Sequence, residues 1–497
     1  MWLGVSAMEM QQAVVIGAGP NGLSAAVTLA RAGVRVLVLE ASTTVGGGAR
    51  TGEVTLPGFS HDLGSSVYPM GAASPFFRSL PLGEFGLRWI EPDAPLAHPM
   101  ADGTAVMLEH SVGETGAGLG REDGKAWSRL MQPMVDAWPD LVSEILGPIL
   151  HLPKHALPLA RFGMYGAMPA SALGKMLFDG DRAKALLAGL AGHSVMPLDA
   201  MLSSAVGLVL GAVGHAWSAG AGGWPVAEGG GQAISDALAG YLRALGGEIR
   251  TGARVERLER AGGLVRLSGD GCEVAAEVVM GDVTPRALVR MAGDQMQDGN
   301  RRLMQRFRYG PGIFKVDWAL SEPIPWAARE CGRAATVHVG GTMEEIVESE
   351  RAVWNGRVSQ WPYLIVVQQS LFDRTRAPEG KHTAWGYCHT PNGWEGDATQ
   401  WIERQMERFA PGFHDCVLAR KPWGTRALES WDANLVGGDI SGGAMTPWQM
   451  AVRPTPRMWE TSVDGVFLCS SSTPPGGGVH GMCGHLAGLK ALKYLGL

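Results

Sequence analysis

Three glycines and one acid carry the first legible chemistry of this chain. Gly17, Gly19 and Gly22 stand in the spacing G-x-G-x-x-G directly after the apolar run 13–16, and Glu40 closes a second apolar run, 34–39. Gly17 lets the chain turn tightly at the end of a buried strand. Gly19 lets the backbone approach a pyrophosphate, and Gly22 lets the next helix pack close to the strand. Pro20 and Asn21 open that helix, whose unpaired N–H groups and dipole favour an anion. Residues 23–32 supply the helix, Gly33 stops it, and Glu40 sits where a carboxylate can bind ribose hydroxyls. Strand, turn, helix, strand and acid agree, so the segment reads as a β-α-β dinucleotide site rather than a chance glycine turn.

Other residues with chemical potential lie far along the chain. A second glycine cluster, Gly46, Gly47 and Gly48, is followed by Arg50. Residues 464–469 read as a strand, 474–481 as a glycine loop holding Gly476, Gly477, Gly478, Val479 and His480, and the residues beyond Gly484 as a helix. That order sets backbone N–H groups and a positive helix end against something electron-rich, and the glycines permit close approach. His480 can orient a substrate or move a proton; the competing reading is a histidine hydrogen-bonded within its own loop. Lys315 lies in an apolar strand, 312–320, where a lysine is costly without a partner. Strand alternation puts Asp317 on the same face, so an ion pair competes with a role at a reactive group. His193, near Asp199, is a further residue able to reach a substrate pocket.

These residues need elements to hold them. A chain of 497 residues exceeds one core, and two domains are expected. Gly229–Gly231 leads into a helix over 233–245, Gly246 and Gly247 stop it, and strands follow over 248–258, 265–267 and 273–280, ending at Gly281 and Asp282. This block reads as the chain re-entering the first domain. The expected fold is α/β: a discontinuous Rossmann-like domain (13–100, 226–300 and 459–497) with an inserted α+β substrate domain. The insert comprises 101–225, mostly helical and apolar, and 301–458, a sheet rich in tryptophan. Eleven of the seventeen tryptophans fall within 301–460, an interior that suits a large apolar or planar substrate, although core packing accounts for most of them.

Composition narrows the function classes. With 42 basic and 48 acidic residues the formal net charge is −6, which argues against nucleic acid as a partner. No two of the six cysteines stand in a CxxC spacing, so neither a redox disulfide nor a zinc site is expected, nor any other metal; their scatter fits a reducing, cytoplasmic compartment. Residues 1–12 have no basic start and too short an apolar stretch for a signal peptide, and read as a disordered lead-in. Residues 145–178 contain no acid but include Lys154, Arg161 and Lys175. That pattern fits ordinary helices with snorkelling cations; it also fits peripheral contact with an anionic membrane. Residues 200–227 carry no charge, yet six glycines break the run, so a buried helix over 203–217 that walls an apolar pocket is expected rather than a membrane span.

Together these blocks resemble the phytoene desaturase-like flavoproteins, a branch of the flavin amine oxidase superfamily, from about residue 13 onward. Gly19-Pro20-Asn21-Gly22, Leu56-Pro57-Gly58-Phe59 and the run 472–481 are most similar to the subgroup of pyridine nucleotide-disulphide oxidoreductase domain-containing protein 2. The resemblance implies FAD. It implies that Gly17, Gly19, Pro20, Asn21, Gly22 and Glu40 hold the dinucleotide, that Gly47, Gly48 and Arg50 pass by the pyrophosphate or flavin edge, and that Val255 packs on the adenine. It further implies that Gly477, Gly478, Val479 and His480 meet the N1–C2 edge of the flavin, and that Lys315 matches the lysine that holds a water near N5 in amine oxidases. No second fingerprint with a terminal acid appears, which counts against a separate NAD(P) domain. The missing CxxC sets the chain apart from a disulfide reductase.

The function expected from this resemblance is an FAD-dependent desaturase or dehydrogenase. It would move hydride from a C–H bond of a hydrophobic, isoprenoid-like substrate to flavin N5, with oxygen or a quinone as electron acceptor. The alternatives are an amine oxidase producing hydrogen peroxide and a flavin-bound assembly protein without turnover. A homo-oligomer is compatible with each.

Overall fold

The computed structural model describes residues 9–497; residues 1–8 of the expected lead-in lie outside the described residues. The rest of that lead-in is strand. Glu9–Ile16 forms one continuous strand, started by an ion pair of Glu9 with Arg250 at 2.6 Å and by parallel pairing of residues 9–11 with 274–276. Polar Glu9, Gln11 and Gln12 hide this extension from the apolar pattern.

The first sheet is drawn from three distant stretches of chain. Its strand order is Arg257–Ala261, Leu264–Gly269, Cys272–Gly281, Glu9–Ile16, Val36–Leu39, Glu248–Arg250, with Val466–Leu468 paired to Cys272–Gly281. Four of its parallel strands end level: Ile16 pairs with Leu39 and with Gly281, and Gly281 pairs with Leu468. Ala13, Val14 and Val15 are wholly buried, as expected of a parallel strand covered on both faces. The helices Pro20–Arg31, Gln232–Ala244 and Met482–Leu495 cover one face and share a single core with it. Ligands of such sheets bind outside the carboxyl ends of the strands, so these level ends position the site.

The expected strand over 248–258 is instead two, Glu248–Arg250 and Arg257–Ala261. Between them the chain is tied by Gly252 N–H to Ser42 O at 2.8 Å and by Ala253 N–H to Glu40 O at 2.9 Å. This detour carries Val255 past Glu40.

The second sheet runs Val417–Trp423, Gly312–Leu320, His382–Thr390, Leu364–Val367, Ala334–Val339, Ala94–Pro99, Ala105–Leu108. Ala94–Pro99 stands on the first-domain side of the expected boundary at 100, yet it pairs in parallel with Ala334–Val339. Its prolines, Pro95 and Pro99, mask a strand pattern. Against this sheet pack the helices Asp181–Gly192 and Ser203–His215, the latter buried along most of its length. No helix among the described residues is long and apolar enough to cross a membrane. In the acid-free stretch, the helices Ala156–Gly166 and Ala170–Leu177 and the loop before them leave apolar side chains in solvent: Leu152 is 94% exposed, Leu157 67% and Met164 60%.

Candidate functional site

One cavity of about 660 Å³ spans the space between the two sheets. Its near end lies on the level strand ends, where Gly17, Gly19, Pro20, Asn21, Glu40, Gly47, Gly48, Arg50, Val255, Gly477, Gly478 and Val479 all line it. The structure thus brings together residues that are far apart in the chain.

The floor at this end is bare backbone. A Cβ on Gly47 would lie 3.0 Å from Gly19 Cα, so the two glycine turns touch with no side chain between them. Gly22 faces the other way: a Cβ there would lie 2.1 Å from Gly17 O, which closes the turn on itself. No side chain caps the Pro20–Arg31 helix at Gly19. Pro20 has no N–H and Gly22 N–H is taken by the Asp282 carboxyl, which leaves Asn21, a residue lining the cavity, with the one first-turn N–H not engaged among the described residues. Glu40 accepts from Ala18 N–H at 2.7 Å through one oxygen and from Ser42 N–H at 2.8 Å through the other. Each oxygen keeps a lone pair for a further donor. Arg50 donates to Gly47 O at 2.9 Å and to Trp431 O at 2.8 Å, and its guanidinium lies 4.4 Å from the centroid of the Trp431 ring.

Two acids at this end were not singled out from the sequence. Asp282 ends the strand Cys272–Gly281 and takes the Gly22 N–H at 2.9 Å; Asp432 follows Trp431. Burial raises both, Asp282 to about 7, and the neighbouring carboxylates push the same way. An acid at a strand end just before the helix-opening Thr284-Pro285 was the available signal for Asp282.

The far end of the cavity is apolar. Val67, Val206, Leu210, Trp224, Ile313, Ile365, Val367, Trp385 and Tyr387 line it, and the Trp385 and Tyr387 rings stack with centroids 5.6 Å apart. Val206 and Leu210 come from the helix that was expected to wall a pocket.

Neither proposed catalytic residue lines this cavity. Lys315 donates to Asp317 Oδ1 at 2.6 Å, Asp317 Oδ2 at 2.7 Å and Asp62 O at 2.9 Å, and it lies against the face of Trp385 at 4.8 Å. All three of its protons are taken, and Trp385 is the residue that meets the cavity. His480 is 2% exposed; its Nδ1 accepts the Met482 N–H at 3.0 Å, its carbonyl takes the Ser74 hydroxyl at 2.7 Å, and burial pushes it down to about 4. His480 therefore shapes the loop that presents Gly477, Gly478 and Val479. His193 does line the cavity.

The profile of flavin containing amine oxidoreductases matches residues 21–482. The chain belongs to this family. Among similar proteins is pyridine nucleotide-disulfide oxidoreductase domain-containing protein 2 of Rattus norvegicus, 27% identical over 96% of this chain and 92% of that protein. The neurosporene-forming phytoene desaturase of Rhodobacter capsulatus is 25% identical over 52% of this chain and 51% of its own. A putrescine oxidase solved with putrescine bound superimposes with a TM-score of 0.63 at 19% identity, covering 98% of this chain and 99% of that one, a likeness of fold.

The family's cofactor is FAD, and the near end of the cavity fits it. Bare glycine backbone and the uncapped helix N-terminus suit the pyrophosphate, Glu40 suits a ribose, Arg50 supplies a cation beside the Gly47 turn, and the loop at Gly477–Val479 lines the same cavity as the fingerprint. Among the described residues no cluster of acids, histidines or cysteines is placed to hold a metal ion.

Proposed function

We propose that this flavin oxidoreductase acts on a C–H bond of an apolar substrate, as a desaturase or dehydrogenase. FAD, when bound, would supply the hydride-accepting chemistry, with oxygen or a quinone as the final electron acceptor. The chain's own part is to bind and orient the substrate and to keep water out. The observation that carries this reading is the state of the cavity's acids. Glu40, Asp282, Asp432 and Asp439 all line the cavity, and every one is engaged by backbone N–H groups. Among the described residues, those lining the apolar end include no carboxylate, so that end offers a substrate hydrocarbon walls and no acid to seat an ammonium. Lys315, closed onto Asp317, points the same way.

A second reading, oxidation of an amine, has one observation in its favour. The stacked faces of Trp385 and Tyr387 are a surface on which a cation can rest. Anaerobic mixing of the FAD-loaded protein with lipid extracts and with a panel of amines separates the two. Bleaching of the flavin by apolar extracts is expected; bleaching by small polar amines alone overturns the proposal.

A further inference from the structure

The apolar end of the cavity contains a polar spot. His193 and Ser194 follow the helix Asp181–Gly192, and both line the cavity. His193 Nε2 lies 2.8 Å from Nε2 of His338, a wholly buried residue of the strand Ala334–Val339. Two ring nitrogens at that distance share one proton, one donating and the other accepting.

The surroundings decide which ring donates. His338 Nδ1 is buried and has no partner. Were His338 the acceptor at Nε2, its proton would sit on Nδ1 as a buried donor with nothing to meet, a rarer and costlier defect than an idle lone pair. His338 therefore donates through Nε2, and the proton of His193 moves to Nδ1. His193 makes no second hydrogen bond among the described residues, which leaves that N–H free. On the next residue, which lines the same cavity, the Ser194 hydroxyl is buried and also without a partner among the described residues. Burial holds His193 down at about 3 and His338 well below its ordinary value, so both rings are neutral. A neutral N–H beside a hydroxyl suits an alcohol or carbonyl oxygen. It brings no charge to bind a carboxylate or an ammonium.

We propose that His193 Nδ1 and Ser194 Oγ form a subsite for an oxygen substituent, hydroxyl or carbonyl, on an otherwise apolar substrate, with His338 as the positioning residue that sets the proton. This rests on the apolar-substrate reading above and goes beyond it: the preferred ligand is oxygenated rather than a bare hydrocarbon.

Binding of three ten-carbon probes to the FAD-loaded protein tests it: myrcene, a hydrocarbon; geraniol, its alcohol counterpart; and geranial, the aldehyde. Geraniol and geranial are expected to bind about tenfold tighter than myrcene. His193→Leu is expected to bring the ratio to about one with myrcene binding kept. Ser194→Ala, a smaller change, is expected to lower the ratio about threefold. His338→Leu is expected to lose the preference, and His338→Gln, whose amide can still donate to His193 Nε2, to restore it. A purely structural role for His338 would not give that rescue. A wild-type ratio near one, or a ratio unchanged in both His193→Leu and Ser194→Ala, overturns the subsite and leaves the apolar-substrate reading standing. Binding of geranylamine with none of the three probes overturns both.

Discussion

The backbone N–H of Gly22 donates to the carboxyl of Asp282 at 2.9 Å while the Asp282 N–H donates to Ile16 O at 2.8 Å, so Asp282 ties the fingerprint turn to the strand that re-enters far downstream. Because burial raises Asp282 to about 7 from an ordinary 3.8, the folded chain holds a proton between those values that the unfolded chain releases. The sign follows: stability falls as pH rises across that window. Ionisation above about 7 also adds a negative charge at the fingerprint turn, where the near end of the cavity fits a pyrophosphate. FAD affinity is expected to weaken about tenfold between pH 6 and 8.5, and Asp282→Asn to flatten that dependence. Fluorescence titration of the apoprotein with FAD across pH measures both.

Gly22→Ala forces a methyl to within 2.1 Å of Gly17 O, a contact that only backbone movement relieves. Overpacking of this kind costs about 2 kcal/mol, and FAD retention through gel filtration should be lost. Gly118→Ala is the control, since a Cβ there meets nothing within 4 Å. Its denaturation midpoint should match the parent or exceed it slightly.

Lys315 and Asp317 are a buried pair, 1% and 0% exposed at the side chain. Removing one partner leaves the other charge stranded, at a cost of about 3–5 kcal/mol. Lys315→Met and Asp317→Asn should each lower the denaturation midpoint strongly, and the double variant should lose less than the sum. If Lys315 serves flavin reoxidation instead, Lys315→Met slows the oxygen reaction with stability unchanged.

Leu152 and Leu157 project into solvent at 94% and 67% exposure beside Lys154 and Arg161. Cosedimentation with phosphatidylglycerol vesicles is expected to exceed that with phosphatidylcholine vesicles and to fall with salt. A double change, Leu152→Glu with Leu157→Glu, should weaken it about tenfold or more, given roughly 1.5–3 kcal/mol for each buried leucine.

The near end of the cavity was legible because its demands are local. A turn that tolerates no Cβ must be spelled with glycine, and a buried parallel strand with valine and isoleucine, so Gly17–Gly22, Glu40 and Gly477–Gly478 stand out in one dimension. The far end was not, because its chemistry is made by contact. Nothing beside His193 in sequence announces His338, which reaches it from the strand Ala334–Val339. Lys315 shows why a residue type alone misleads: its strand was foreseen, but the three acceptors that occupy its ammonium include Asp62 O, set down by a separate hairpin. Ala94–Pro99 was missed since its two prolines argue against a strand that only the Ala334–Val339 partner makes worthwhile.

The way the first sheet is assembled bears on how the protein is made. Glu9–Ile16 leaves the ribosome before the other strands of its sheet: its neighbour Cys272–Gly281 arrives after the whole first part of the insert, and Val466–Leu468 after the whole second part. Until Cys272–Gly281 emerges the fingerprint strand therefore has an unpaired edge. The long loops that must close first make this pairing slow. The cavity itself is completed late: Gly477, Gly478 and Val479, which line it, emerge after every strand of the sheet, and until then the nascent chain depends on the Val36–Leu39 pairing and the Pro20–Arg31 helix to keep its apolar strand out of other chains.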